Sequence, residues 1–389
     1  MEAHESVELS VVMPCLNEAD TLATCIRKAQ TSFAEHDIAG EVIVADNGSS
    51  DASVSIAEEL GARVVHVTER GYGSALMGGI AEARGRFVIM GDADDSYDFL
   101  EIPKFVEKLR AGADLVQGCR LPGGGGRVLP GAMPWLHRWL GNPMLTRMVR
   151  FMFHTPIHDI YCGMRGFTKK LYDRLEQRCT GMEFATEMII KSTLLGARID
   201  EVPITLHPDG RTSHGPHLRT FRDGWRTVRF FLMYSPRWLF LVPGIVLLLA
   251  GVVGYALALP GAQVGEARLG VHTLLVASLS ILLGYQSILF AIFSKTFAVS
   301  VGLMPPDDRL ERFFTFATLE RGLVLGAGAF AVGLGMIGYA TSTWAERDFG
   351  PLDYPTTLRL VIPGVTLAAL GFQTILSGFF VSILGMHRR

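Results

Sequence analysis

The sequence predicts an α/β, Rossmann-like domain built on a mostly parallel sheet, followed by an α-helical transmembrane domain of four helices. Three observations carry this reading. Upstream of Trp238, short apolar, β-branched runs alternate with stretches of helical spacing, the pattern of repeated β-α units. Clusters rich in Asp, Asn and Gly follow the ends of three of these runs, where ligands of such sheets bind. Downstream come four stretches free of Asp, Glu, Lys and Arg: Trp238 to Pro260, Leu269 to Ser294, Gly322 to Trp344 and Leu360 to Met386. Each is long enough to cross a bilayer as a helix, which takes about 20 residues.

The elements follow in order. Leu9 to Met13 is a β-branched run ended by Pro14, and Thr21 to Gln30 has helical spacing: strand, loop, helix. Glu41 to Ala45 is a second strand, leading through Asp46-Asn47-Gly48-Ser49-Ser50-Asp51 into a helix over Ser53 to Leu60. Arg63 to Val67 is a third, followed by Gly71-Tyr72-Gly73, read as a turn, and a helix over Ser74 to Ala83. Phe87 to Met90 is the fourth, ending in Gly91-Asp92-Ala93-Asp94-Asp95. Asn17 and Glu18, Asp46, and Asp92 with Asp94 each follow a different strand, so they are expected to converge on one crevice; the alternative is that they only make turns and cap helices.

Residues 121 to 134 hold too much glycine and proline for regular structure and read as a mobile loop or lid. Trp135 to Phe153 reads as a helix rich in Trp, Met and Phe, either core or a surface resting on lipid. Leu218, Phe221, Trp225, Val228 and Leu232 recur at helical spacing, with Arg219, Arg222, Arg226 and Arg229 one position later. This describes a basic amphipathic helix at an anionic membrane surface. The expected division is therefore 1–215 for the α/β domain, 216–236 for the amphipathic helix and 237–389 for the four spans.

Charge and cysteine usage set further bounds. The N-terminus lacks the basic start and apolar stretch of a secretory signal. Lys295, Arg309, Arg312 and Arg321 lie between the second and third spans, while Arg268, Arg347 and Arg359 are the only basic residues on the other side. By the positive-inside rule the α/β domain and both termini face the cytoplasm, with the plasma membrane as the expected location. Five scattered cysteines without a Cys-x-x-Cys pair read as reduced thiols. A net charge of −2 implies no nucleic-acid partner. Glycines in the spans allow homo-oligomer contacts.

Two aspartates one residue apart at a strand end, Asp92 and Asp94, can hold a hard divalent cation, Mg²⁺ or Mn²⁺, that shares oxygen ligands with phosphates. Such a cation stabilises a departing diphosphate as a Lewis acid. The pair gains weight from Val11 to Glu18, Ala45 to Asp51, Gly91 to Asp94, Gly118-Cys119-Arg120 and Asp159 to Phe167, five motifs in order. With them, roughly the whole α/β domain resembles the inverting family-2 glycosyltransferases of GT-A fold, and among these the dolichol-phosphate mannose and polyprenyl-phosphate glucose synthases.

The resemblance implies transfer of a hexose from a nucleotide-diphosphate sugar, UDP-glucose or GDP-mannose, to polyprenyl or dolichyl phosphate. It implies that Pro14, Asn17, Glu18 and Asp46 hold the nucleoside, and that Asp92, Ala93 and Asp94 hold the metal and diphosphate. Asp159 matches an aspartate near the acceptor, Arg120 an acceptor-phosphate arginine, and Arg211 a basic residue that closes on the phosphates. Arg138 and Asn142 match an acceptor-phosphate pair on a helix, and Arg127 is a further candidate cation. Two positions depart from the family pattern: Asn47 replaces a common second aspartate, and Asp95-Ser96 stands where many relatives have a polar pair ending in His. A lipid phosphate has a second pKa of about 6 and is already largely dianionic at neutral pH, so Asp159 is expected to position the acceptor rather than deprotonate it. The alternatives are a processive polysaccharide synthase, against which stands the missing glutamine before Arg237-Trp238, and a non-catalytic membrane protein retaining the fold.

Overall fold

In the computed structural model, which describes residues 7–211, 220–302 and 304–385, the chain divides into two compact units, Met1–Phe231 and Leu232–Arg389. The first is built on a seven-stranded sheet. Its strands are β1 (Leu9–Cys15), β2 (Gly40–Asp46), β3 (Arg63–His66), β4 (Phe87–Met90), β5 (Leu115–Cys119), then β7 (Arg165–Thr168) and β8 (Ile199–Pro203). The order across the sheet is β3-β2-β1-β4-β7-β5-β8, and every pairing is parallel except those of β7, which runs antiparallel between β4 and β5. The mostly parallel sheet is as the sequence predicts. β6 (Arg127–Val128) and β9 (Thr205–Leu206) form a separate short parallel pair.

Register levels the carboxyl ends: Cys15 lies opposite Asp46, and Asp46 opposite His66. Strands of a parallel sheet are covered on both faces, which is why β1 and β4 are apolar throughout rather than alternating, apart from Ser10. Helices α1 (Leu22–Glu35), α2 (Ser53–Glu59), α3 (Tyr72–Ala81) and α4 (Ile102–Arg110) supply the cover. In α4, Ile102, Phe105, Val106 and Leu109 are buried at helical spacing, each contributing about 1.5–3 kcal/mol. α3 lies so close to the sheet that a Cβ at Gly79 would stand 2.6 Å from Val12. The remaining helices of this unit are α5 (Asn142–Phe153), α6 (Lys169–Leu175), α7 (Glu183–Leu194) and most of α8 (Thr220–Met233).

Two local expectations need correction. Tyr72 and Gly73 begin α3 instead of forming a turn, because Asn47 fixes Gly71 ahead of the helix by accepting its N–H at 2.8 Å. The segment 121–134 contains a short helical turn, Pro122–Gly124, and β6, whose backbone finds partners on the far side of the sheet edge. The helix expected over Trp135 to Phe153 is present over those bounds, with a π-turn, His137–Gly141, leading into α5. Leu218 and Arg219 of the expected basic amphipathic helix, the 215–216 boundary and Met1–Ser6 lie outside the described residues; α8 itself is helical, with Trp225 63% exposed.

The second unit carries four helices long and apolar enough to cross a membrane, Arg237–Ala258, Val271–Ser300, Leu319–Ala345 and Tyr354–Gly385. The first comprises a π-turn and α9 (Val242–Ala258). The others are α10 (Val271–Ser300), α12 (Leu319–Ala345) and α13 (Tyr354–Gly385). A small β10–β11 hairpin precedes α10, and a short helix, α11 (Asp308–Phe316), precedes α12. Glycines fall where backbones meet: an added Cβ at Gly333 would stand 2.6 Å from the Gly364 carbonyl, and one at Gly371 2.5 Å from that of Gly326. These glycines are spent on packing within the chain.

Candidate active site

The loops after β1, β2 and β4 meet at the carboxyl edge of the sheet. Asn17 takes a left-handed backbone (φ 61°), which asparagine tolerates, and its side-chain oxygen accepts the Ser50 N–H at 2.8 Å. Its own N–H donates to Ser49 Oγ, and the Glu18 N–H to Ser53 Oγ, so the first loop is pinned to the second. Pro14 lies one residue before the end of β1. Asp46 is buried and accepts the N–H groups of Ser49 and Gly48, with His66 Nδ1 3.3 Å away. Burial works to raise its pKa, yet the hydrogen bonds from Ser49, His66 and Gly48 outweigh it and hold the carboxyl below its ordinary range.

Asn47 explains its departure from aspartate. Its amide nitrogen donates to the carbonyls of Val67 and Glu69, at 3.0 and 2.8 Å, while its oxygen accepts from Gly71. A carboxylate has no hydrogen for the two carbonyls.

Asp92 and Asp94 share the loop after β4. Thr21 Oγ1 donates to the Ala93 carbonyl at 2.6 Å and Gly210 N–H to that of Asp94, which holds the loop between α1 and the segment after β9. Tyr72, at the start of α3, donates its hydroxyl to Asp92 Oδ1 at 2.8 Å. Desolvation, with the neighbouring Asp94 charge second, pushes the Asp92 carboxyl up to about 6, against the opposing bond from Tyr72. Asp94 accepts from Ser96 and lies 3.3 Å from Arg211 Nη2. Arg211 also reaches Glu18 Oε1 at 3.1 Å and Asp209 at 2.5 Å, so one guanidinium joins the first and third loops.

Asp159 and Arg120 form the second half of the site. Asp159 is fully buried; its carboxylate takes Arg120 Nε at 2.7 Å, Nη2 at 2.9 Å and the Arg120 backbone N–H at 3.0 Å. Burial disfavours the Arg120 cation, but the Asp159 charge prevails and raises its pKa. Arg120 Nη1 points to Tyr97 Oη at 3.4 Å, and that oxygen accepts the Gly163 N–H at 2.8 Å. Gly163 abuts the first half: a Cβ there would stand 2.7 Å from Asp92 Oδ2. The segment is clamped further by Glu201, which accepts the His158 and Asp159 N–H groups, and by Gln117, which donates to the Asp159 and Cys162 carbonyls.

The sequence-predicted residues thus fall into two sets. Pro14, Asn17, Glu18, Asp46, Asp92, Ala93, Asp94 and Arg211 lie at one crevice, with Arg120 and Asp159 adjoining it through Tyr97 and Gly163. Arg127, Arg138 and Asn142 stand apart from that network among the described residues. Arg127 is exposed on β6 without an ion pair; Arg138 stacks on Trp139 at 5.3 Å; Asn142 touches Met133 Sδ at 3.5 Å. Tyr72, Tyr97, Gln117, Thr21 and Glu201 were missed, since no local pattern marks a residue whose partner lies 20 or more positions away.

Family models match both parts of the chain. Residues 10–176 match the model "Glycosyl transferase family 2", and residues 292–385 match "Glycosyltransferase family 2 C-terminal transmembrane region". The Low-salt glycan biosynthesis hexosyltransferase Agl6 of Haloferax volcanii is 38% identical over 97% of this chain and 89% of its own. The Dolichyl-phosphate hexose transferase of the same organism is 31% identical over 51% of this chain and 82% of its own. A crystal structure of glucosyl-3-phosphoglycerate synthase from Mycobacterium tuberculosis, at 21% identity and a TM-score of 0.45, covers 58% of this chain and 78% of that one. A relative of that identity over nearly the full length, with family models matching both units, means that the chain belongs to glycosyltransferase family 2 and is a membrane-spanning glycosyltransferase with a GT-A catalytic domain.

Proposed function

We propose that the protein transfers a hexose from a nucleotide-diphosphate sugar, UDP-glucose or GDP-mannose, to polyprenyl or dolichyl phosphate with inversion at the anomeric carbon. The observation that carries this is the junction of two charge sets: Asp92, Asp94, Glu18 and Arg211 on one side, and the buried Arg120–Asp159 pair on the other. The relatives named as a hexosyltransferase and a dolichyl-phosphate hexose transferase support the sugar and acceptor classes, and four membrane-spanning helices suit a lipid substrate.

Pro14, Asn17, Glu18 and Asp46 would line the nucleoside side, and Asp92 and Asp94 the diphosphate. A divalent cation, Mg²⁺ or Mn²⁺, fits the two carboxylates. No group of three or more His, Cys, Asp and Glu gathers among the described residues, so the chain offers two acids and leaves the other positions to phosphate oxygens and water, a common arrangement for Mg²⁺. The raised pKa of Asp92 marks carboxylate charge that a cation would offset. When bound, such a cation would neutralise charge on the departing diphosphate.

The chain's own residues do the rest. Arg211, now held on Glu18, Asp94 and Asp209, would exchange these carboxylates for the donor phosphates. Asp159 keeps the Arg120 guanidinium in place, leaving Nη1 with only a long contact to Tyr97 and open to an acceptor phosphate oxygen. The dianionic lipid phosphate attacks without a base. Arg127, Arg138 and Asn142 would act as outlying contacts for the acceptor. The excess of Lys and Arg on one side of the spans supports a cytoplasmic catalytic domain and termini, at the plasma membrane.

The test is a transfer assay with detergent-purified protein, polyprenyl phosphate, Mg²⁺ or Mn²⁺ and a panel of UDP- and GDP-sugars. A mild-acid-labile glycolipid made by the intact protein and not by Asp94→Ala is the expected result; no lipid product from any donor would overturn the proposal.

A further inference from the structure

The second unit holds a cavity of about 970 Å³, at the upper end of the roughly 300–1,000 Å³ typical of small-molecule sites. α13 packs against both α10 and α12, and the cavity is the groove that runs over α13 between them. Its floor is Thr374, Ser377, Gly378, Val381, Ser382 and Gly385, one helical face of small residues. Aliphatic residues of α10 and α12 form the walls, and Phe313 and Phe314 of α11 close one side. From Thr374 to Gly385 the floor runs about 16 Å at 1.5 Å per residue, roughly half the thickness of the hydrocarbon core. At its inner end Tyr285 and Thr374 satisfy one another at 2.6 Å.

The outer end is different in character. Thr296, near the end of α10, lines the groove, is 1% exposed, and its hydroxyl has no hydrogen-bond partner among the described residues. Other hydroxyls on these spans, such as Ser278, Thr366 and Thr374, donate to the carbonyl four residues back; Thr296 does not. A buried hydroxyl without a partner is costly and points to a polar atom that arrives with a ligand. Arg321 lines the same groove. Its Nη1 donates to the Phe316 carbonyl at 2.9 Å, its guanidinium lies 5.3 Å from the Phe316 ring, and no carboxylate pairs with it among the described residues. The amino end of α12, capped by Thr318, adds partial positive charge. Glu320 is the one acid among the lining residues and is exposed.

We infer that this groove is a docking site in the membrane unit for a single-chain lipid phosphate monoester, the polyprenyl phosphate acceptor, held there before its phosphate passes to Arg120, with its hydrocarbon chain along α13 and its phosphate at the Thr296 and Arg321 end of the groove. This rests on the acceptor class proposed above. One groove accommodates one chain, which favours a polyprenyl phosphate over a two-chain phospholipid. The anionic end answers the unpaired cation, and a phosphate oxygen is the acceptor that the Thr296 hydroxyl lacks.

The experiment uses the full chain in nanodiscs with a polyprenyl phosphate carrying a diazirine in its chain. Labelled positions are mapped by mass spectrometry, and transfer is measured in parallel with long-chain and short isoprenyl phosphates. Label is expected on the groove residues, displaced by unlabelled polyprenyl phosphate and not by an anionic two-chain phospholipid. Thr296→Val and Arg321→Gln are each expected to raise the apparent Kd about tenfold. Ser377→Leu, which fills the floor, should raise KM for the long-chain substrate and leave that for the short one unchanged, which also establishes that the variant is folded. Label elsewhere, equal displacement by the phospholipid, unchanged Kd in both Thr296→Val and Arg321→Gln, or an unchanged KM for the long-chain substrate in Ser377→Leu would overturn the inference. Transfer without groove labelling would refute the groove alone, whereas groove labelling without transfer by the intact protein would refute the acceptor reading and leave the groove standing.

Discussion

Asp159→Asn separates holding from reacting. The substitution keeps the shape of the side chain and removes the charge opposite Arg120, which is itself only 7% exposed. Three donors from Arg120 converge on this carboxylate within 3.0 Å, and Asp159 is fully buried. A surface pair of this kind would be worth under about 1 kcal/mol. A buried one that loses a partner costs about 3–5 kcal/mol, because the remaining charge stays desolvated. Asparagine retains one acceptor oxygen, so the lower bound of about 3 kcal/mol applies. At about 2–4 °C per kcal/mol for a unit of this size, Tm should fall by about 6–12 °C. Scanning fluorimetry of the detergent-purified protein reads this directly, and initial rates with a lipid phosphate acceptor should fall in parallel as Arg120 loses its orientation. Arg120→Met combined with Asp159→Asn removes the orphaned cation; it should recover most of the Tm and none of the transfer. An unchanged Tm in Asp159→Asn would refute the buried-pair argument, and transfer regained in the double variant would refute the role given to Arg120.

Further outcomes follow from the loops around Asp92. Because its folded pKa is raised from 3.8 to about 6, the metal-free protein has the stability due to Asp92 protonation in full below about pH 4 and loses it as pH rises to about 6; added Mn²⁺ should reverse that loss above pH 6, measured by Tm against pH. By the same proton balance the apparent metal affinity should weaken about tenfold per pH unit below 6, readable by titration calorimetry. Tyr72→Phe removes the hydroxyl that orients Asp92 and should weaken Mn²⁺ binding by about tenfold or more, with the fold intact by circular dichroism. Asn47→Asp cannot donate to the Val67 and Glu69 carbonyls and should cost about 1–3 kcal/mol of stability in denaturant unfolding, despite restoring the commoner family residue.

The strands and spans were legible because each rests on a local period: β1 to β4 begin and end within two residues of their expected bounds, and all four spans overlap the expected ones. Asp46, Asp92 and Asp94 were legible because carboxyl strand ends of a parallel sheet share one edge. What could not be read was pairing across the chain. Asp159 was expected to act near the acceptor, but its locking by Arg120 spans a separation of 39 positions, and Tyr72 looked like part of a glycine turn until its hydroxyl met Asp92. α11 also escaped notice, because nine residues hold too few helical turns to stand out beside a 30-residue span. The roles of Arg127, Arg138 and Asn142 rested on resemblance alone, and they are the residues that the site network does not include.

β7 is the only strand of the large sheet that runs against its neighbours. A strand entering from the opposite direction delivers the residues that precede it, rather than those that follow, to the edge where the parallel strands end. The stretch from His158 to Met164 is therefore continuous with its strand at its downstream end, while the acidic loops hang from strands at their upstream ends. Insertions or deletions just before His158 would leave the Arg120 partner in place and disturb the register of no parallel strand. Changes in chain length on that side are thus decoupled from the acidic loops, a freedom that follows from chain direction.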